Sequence, residues 1–157
     1  MQKISVLFVC LGNICRSPAA EAIFISLLQR KGLTDGFIVD SAGTGNWHIG
    51  KKADSRMRIA AGRRNINILS RARQITSKDF DEFNYILAMD DSNYRNIQDL
   101  KNRTASTGFA SIKKIQDFRS FFNEPEVPDP YFGGDEGFEY VLDILEDSVS
   151  GFLESIS

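Results

Sequence analysis

The chain has 157 residues, 42% hydrophobic and 25% charged, with a formal net charge of −2, a composition that excludes disordered and fibrous classes and suits one globular domain with its own core. No apolar stretch approaches the ~20 residues of a membrane span. Two closely spaced cysteines, Cys10 and Cys15, make no framework for a secreted disulfide-rich fold, so a reducing, cytoplasmic setting without membrane insertion is expected.

Charge is unevenly placed. Residues 51–73 hold eight Lys/Arg against the single acid Asp54, whereas nothing after Arg119 is basic and ten acids follow from Glu124. Two solvated faces of opposite sign explain this; the alternative reading is that the basic stretch attracts anionic substrates. Nucleic-acid binding is not expected, because a basic footprint normally dominates the whole domain.

Ile4 to Val9 is a short apolar, β-branched run that predicts a buried strand. Ser17 and Pro18 predict a helix start, Ser17 as cap and Pro18 in the first helical position, and Gly32 predicts its stop. A second strand is predicted over Phe37–Asp40, a helix over 54–65, a strand over 84–90, and a helix from Ser92 to about Arg103. A weaker strand is predicted over Lys114–Phe118. From Asp135 to the end, Phe138, Val141, Leu142, Leu145, Val149 and Phe152 recur at helical spacing. This alternation predicts one α/β domain over 1–157, a three-layer sandwich with a four-stranded parallel sheet and helices on both faces. Ligands in such sheets bind at strand carboxyl ends, which is where Cys10 lies.

The segment Cys10-Leu11-Gly12-Asn13-Ile14-Cys15-Arg16-Ser17-Pro18 joins the first strand to the first helix. Five residues between Cys10 and Arg16 are enough for the backbone to curl into a nest of N–H donors at a helix N-terminus, both favouring a bound anion. Gly12 and Asn13 are expected to take the left-handed torsions of that curl. Arg16 offers two parallel hydrogen bonds to phosphate oxygens. The same donors favour a thiolate at Cys10, and Ser17 can hydrogen-bond the sulfur, so a nucleophile arises without a neighbouring base. His48 is the only histidine.

The loop C-L-G-N-I-C-R-S-P resembles the signature of the low-molecular-weight protein tyrosine phosphatases. The likeness extends through V-D-S-A-G-T at Val39–Thr44, W-H-I-G-K-K-A-D-S-R at Trp47–Arg56, A-R-Q-I-T and D-F at Ala72–Phe80, Y-I-L-A-M-D-D-S-N at Tyr85–Asn93 and V-P-D-P-Y-F at Val127–Phe132. The resemblance implies a flavodoxin-like, Rossmann-like domain that hydrolyses phosphotyrosine in proteins and small aryl phosphates, with no cofactor and no metal. It implies Cys10 as nucleophile, Arg16 and the Leu11–Ser17 loop as phosphate binders, and Asp129, between two prolines, as general acid and then base. It further implies Trp47 and Tyr131 as walls for the substrate ring, and Asn13, Ser17 and Ser41 as supports of the loop.

Some relatives place histidines before A-R-Q, where this chain has Ile66, Ile68 and Ser70, so the supporting network is expected to differ. Phe132 lacks the hydroxyl of the tyrosine often found there, which puts phosphorylation control at that position in doubt. Relatives acting on phosphoarginine tend to carry Thr where this chain has Ile14, so Ile14 favours phosphotyrosine. Cys15 points to redox control through a disulfide with Cys10, with a small buried residue as the alternative reading. Asp54, Asp90 and His48 are expected to be structural. A monomer is expected, with weak self-association through the aromatic rim as the alternative. Two rivals stand beside this reading. An arsenate reductase needs further thiols, and none follows Cys15; a phosphopeptide-binding module is expected to lack the nucleophile or the acid.

Overall fold

The computed structural model describes residues 2–131 and 133–157; the expectation about Phe132 lies outside them. Four strands, β1 (Ile4–Cys10), β2 (Phe37–Gly43), β3 (Tyr85–Ala88) and β4 (Ser111–Lys114), form one parallel sheet in the order β2-β1-β3-β4. The helices are α1 (Arg16–Arg30), α2 (Ser55–Gly62), the single turn α3 (Asp79–Glu82), α4 (Asp91–Arg103) and α5 (Asp135–Ser155).

β1 explains the layering. Its side chains alternate across the sheet: Val6, Phe8 and Cys10 enter a core shared with α1, α2 and α5, while Leu7 and Val9 enter a second core with Phe80, Phe83 and Ile97. A strand buried on both faces reads as an unbroken apolar run, which is why its periodicity is hidden in the sequence. Phe24 of α1 and Phe152 of α5 close the larger core, with ring centroids 5.9 Å apart. The chain passes from β1 to β2 on one side and later to β3 on the other, so the switch in strand order falls at the end of β1. Cys10 is the last residue of that strand.

Two expectations are corrected here. Helix α1 begins at Arg16 with Cys15 at its N-cap, and no side chain caps it. The Ser17 hydroxyl is engaged by Cys10 and Asn13 instead. Pro18 sits in the third helical position, where its missing N–H is still one of the four that a helix leaves unpaired. The fourth strand also lies earlier than predicted: Ser111–Lys114 pairs with β3, and Ile115–Phe118 forms a 3-10 turn. The apolar Ile115 and Phe118 belong to the core packed around α5 rather than to the ladder.

The other elements keep their predicted places with shifted ends. β2 runs on to Gly43, and α4 starts at Asp91 because the Asp90 carboxylate caps it by accepting from the Asn93 N–H at 2.7 Å. Gly32, at φ 68°, closes α1, with the Leu33 N–H donating to the Leu28 carbonyl at 2.9 Å.

Candidate active site

At the end of β1 the loop 10–17 turns around the Cys10 sulfur. The Asn13 backbone N–H donates to Sγ at 3.3 Å, and the Ser17 Oγ lies 3.0 Å from it. Ser17 accepts from Asn13 Nδ2 at 2.7 Å, and its own hydrogen has the Cys10 sulfur at 3.0 Å and the Ala42 carbonyl at 3.4 Å as acceptors; when the sulfur is a thiolate, Ser17 is the donor of that bond. The turn depends on one strained residue. Asn13 is left-handed at φ 57°, whereas Gly12 is not, contrary to expectation.

The Asn13 side chain sustains that torsion with three bonds. Nδ2 donates to Ser17 and to Ser41 Oγ at 3.0 Å, while Oδ1 accepts from the Arg73 backbone N–H at 2.9 Å. Because Oδ1 faces a backbone donor, the orientation of the amide follows from its partners. Ser41 in turn donates to Glu21 Oε1 at 2.6 Å, and Glu21 is also hydrogen-bonded to Ser70. Glu21 and Ser70 therefore end the network in the region where the sequence lacks histidines; Ile66 and Ile68 are buried in the core. Burial pushes the Glu21 carboxyl above its ordinary value, against the bonds from Ser41 and Ser70.

Arg16 is 3% exposed. Its Nη1 donates to Asp90 Oδ2 at 2.7 Å and to the Val127 carbonyl at 3.0 Å, and its Nη2 lies 3.7 Å from Asp129 Oδ2. Burial works against the charge, but Cys10, Asp90 and Asp129 outweigh it and hold the guanidinium above its ordinary pKa. Arg16 is thus a fixed cation at neutral pH. Burial, reinforced by Asp54 and Cys10, pushes the Cys15 thiol far above its ordinary range.

Around the loop lies a cavity of about 200 Å³ lined by Cys10, Leu11, Gly12, Ile14, Cys15, Arg16, Trp47, His48, Asp129 and Tyr131. Asp129 Oδ1 accepts from the Tyr131 backbone N–H at 3.1 Å, and its side chain is 42% exposed. Trp47 is 65% exposed and Tyr131 36%, so neither ring belongs to the core. Trp47 lies over Gly45, where an added Cβ would fall 1.9 Å from the indole. The His48 ring also lines the cavity, 6.2 Å from the Tyr131 ring.

The structure therefore brings Cys10, Arg16, Asp129, Trp47 and Tyr131 to one cavity and sets Asn13, Ser17 and Ser41 beneath it. Sequence reasoning missed Arg73, whose Nε donates to Asp40 at 3.0 Å and whose two Nη atoms reach both Asp79 oxygens at 3.1 and 3.0 Å, fastening the segment that holds Asn13. It missed Glu21 and Arg56 as well. Their signals, one acid in α1 and one of the eight basic residues of 51–73 in α2, are indistinguishable in sequence from solvated surface residues. Among the described residues no helix is long and apolar enough to cross a membrane.

These features define an α/β protein with an arginine-bearing loop cavity at the switch point of a parallel sheet. The model of the low molecular weight phosphotyrosine protein phosphatase family matches residues 5–157. A low molecular weight phosphotyrosine protein phosphatase of Schizosaccharomyces pombe is 41% identical over 157 residues, covering 99% of each chain. The crystal structure of a protein tyrosine phosphatase from Entamoeba histolytica is 44% identical with a TM-score of 0.91, covering 98% of this chain and 97% of that one. A Drosophila arginine phosphatase is 31% identical at the same TM-score of 0.91, covering 97% of each. The chain belongs to the low molecular weight phosphotyrosine protein phosphatase family. It is a protein tyrosine phosphatase, and so a phosphoric monoester hydrolase.

Proposed function

We propose that the protein hydrolyses phosphotyrosine in proteins by two displacements at one phosphorus. Cys10 as thiolate attacks phosphorus while Asp129 protonates the departing phenolic oxygen; water then attacks the phosphocysteine, giving its proton to Asp129, and phosphate leaves with the Cys10 thiolate restored. The observation that carries this reading is the placement of Cys10 Sγ, which accepts from the Asn13 N–H and lies 3.0 Å from Ser17 Oγ, in a cavity lined also by Arg16 and Asp129. Ser17 stabilises the thiolate and eases its departure. Arg16 and the loop amides 11–17 hold the equatorial oxygens, whose charge is where most of the catalysis arises.

Among the described residues the backbone N–H groups of Gly12, Ile14 and Cys15 have no protein acceptor, as a loop built for phosphate oxygens requires. Trp47 and Tyr131 stack on the substrate ring. Ile14 lines the cavity with an apolar surface suited to an aryl group, which favours phosphotyrosine over phosphoarginine. No metal or cofactor takes part, and the enzyme works as a cytoplasmic monomer with both cysteines reduced.

Turnover of phosphotyrosyl peptide, phosphoarginine and an aryl phosphate by wild type, Cys10→Ser and Asp129→Ala, with and without chelator, tests this. The expected result is phosphotyrosine hydrolysis insensitive to chelator, abolished in Cys10→Ser and reduced about 100-fold or more in Asp129→Ala. Equal activity in all three proteins would overturn the mechanism, and a preference for phosphoarginine would overturn the substrate.

A further inference from the structure

The loop carrying Asp129 is tied down at both ends. Before Asp129, the Val127 N–H donates to the Met89 carbonyl at 2.9 Å, and the Val127 carbonyl accepts from Arg16 at 3.0 Å. After it, the tie comes from Arg56. Its Nη2 donates to the Tyr131 carbonyl at 2.9 Å, and its Nη1 to the Gly133 carbonyl at 3.4 Å. The guanidinium carbon lies 4.6 Å from the Phe138 ring centroid and 5.6 Å from that of Tyr131.

Arg56 is itself held by Asp54 in a two-pronged pair, Nε to Oδ1 at 3.1 Å and Nη2 to Oδ2 at 3.0 Å. Burial works against the Asp54 charge, but the bonds from Arg56 hold its carboxyl below the ordinary range, so the pair persists at neutral pH. The Asp54 backbone N–H donates to the Ile14 carbonyl at 2.8 Å. A continuous path of hydrogen bonds thus runs from the loop around Cys10, through Asp54 and Arg56, to the Tyr131 and Gly133 carbonyls beyond Asp129.

We infer that Arg56 is a positioning residue for the general acid: it fixes Asp129 relative to Cys10 by clamping the Tyr131 and Gly133 carbonyls to the loop at Ile14. The inference rests on the proposed role of Asp129. Arg56 does not line the cavity; it acts through the two backbone carbonyls and through its contact with the Tyr131 ring. A displacement of the acid by ~1 Å is enough to cost up to about 100-fold in rate. Lysine is a poor substitute, because an ammonium cannot engage Asp54 through two parallel bonds while reaching both carbonyls.

The test separates a misplaced acid from general damage by the leaving group. A p-nitrophenolate departs with little proton help, whereas phenolate needs it. kcat/KM is measured on p-nitrophenyl phosphate and phenyl phosphate for wild type, Arg56→Ala, Arg56→Lys, Asp129→Ala and the double variant Arg56→Ala/Asp129→Ala. Arg56→Ala is expected to lose about 10- to 100-fold on phenyl phosphate and several-fold less on p-nitrophenyl phosphate, with Arg56→Lys between it and wild type. The double variant is expected to be no slower than Asp129→Ala alone. Equal losses on both substrates in Arg56→Ala, or in Arg56→Lys should the alanine variant not fold, would overturn the inference. So would losses that multiply in the double variant. If Asp129→Ala itself showed no dependence on the leaving group, the proposed acid would fail first, and the role of Arg56 with it.

Discussion

The buried Arg16 guanidinium rests 2.7 Å from the Asp90 carboxylate, whose other oxygen caps helix α4. One side chain thus orients the cation and starts a helix. Asp90→Ala takes the nearer carboxylate from Arg16 at 3% exposure and leaves it the Val127 carbonyl and Asp129 at 3.7 Å, a loss of up to about 3 kcal/mol, with about 1 kcal/mol from the lost cap. Urea unfolding is expected to show that loss, and inorganic phosphate is expected to inhibit the variant more weakly than wild type. Asp90→Asn, which can still cap, is expected to lose phosphate affinity with a smaller fall in stability.

Asn13 contributes both a torsion and three hydrogen bonds, and the two are separable. Glycine at position 13 accepts φ 57° without strain but makes none of the side-chain bonds, whereas alanine forfeits both. Both variants are expected to lose kcat. Asn13→Ala is expected to be less stable than Asn13→Gly by about 1 kcal/mol. Equal stabilities in denaturant titrations would mean that the torsion carries no strain.

Burial raises the Glu21 carboxyl in the folded protein, so the folded chain binds its proton more tightly than the unfolded chain does. Stability is therefore expected to fall as pH climbs from the ordinary glutamate value through the raised one, and to level off above it. Glu21→Gln, which keeps an acceptor for Ser41 Oγ, is expected to remove that fall. Thermal melts of both proteins across pH 4 to 8 check the sign, ~4.3 being the usual glutamate value. Parallel profiles would contradict it.

Burial pushes the Cys15 thiol up and keeps it protonated at neutral pH, beside the proposed nucleophile Cys10. Alkylation of the native protein is expected at Cys10, with Cys15 labelled only after unfolding. Peroxide is expected to convert a Cys10 thiolate to a sulfenic acid, after which the Cys15 thiol displaces hydroxide, its proton leaving with that hydroxide as water, and a disulfide forms. Mass spectrometry is expected to find that disulfide in wild type, whose activity returns with a thiol reductant. In Cys15→Ser the same treatment is expected to destroy activity for good.

The parts of the fold legible in the sequence are those set by local chemistry. Strand β1, the turn at Asn13 and the long face of α5 announce themselves through apolar runs, punctuation and helical spacing. β4 was misread because it is a short edge strand of half-buried residues, while the apolar Ile115 and Phe118 beside it turn toward α5. The start of α1 was misread because Ser17, an ordinary capping residue by type, is drawn to the Cys10 sulfur. In the cavity, the residues of the 10–17 loop were legible as a group. Arg56, Arg73, Glu21 and the pairing of Arg16 with Asp90 were not, since each depends on segments far apart in the chain meeting in space.

The indole of Trp47 occupies the volume that any side chain at position 45 would fill. One wall of the cavity thus keeps its place through a single hydrogen atom, the one that glycine carries where every other residue carries carbon. Replacing it, even with alanine, would evict the ring and widen the mouth. With Trp47 as the proposed wall for the substrate ring, selectivity for flat ligands would be entrusted to a residue outside the cavity lining.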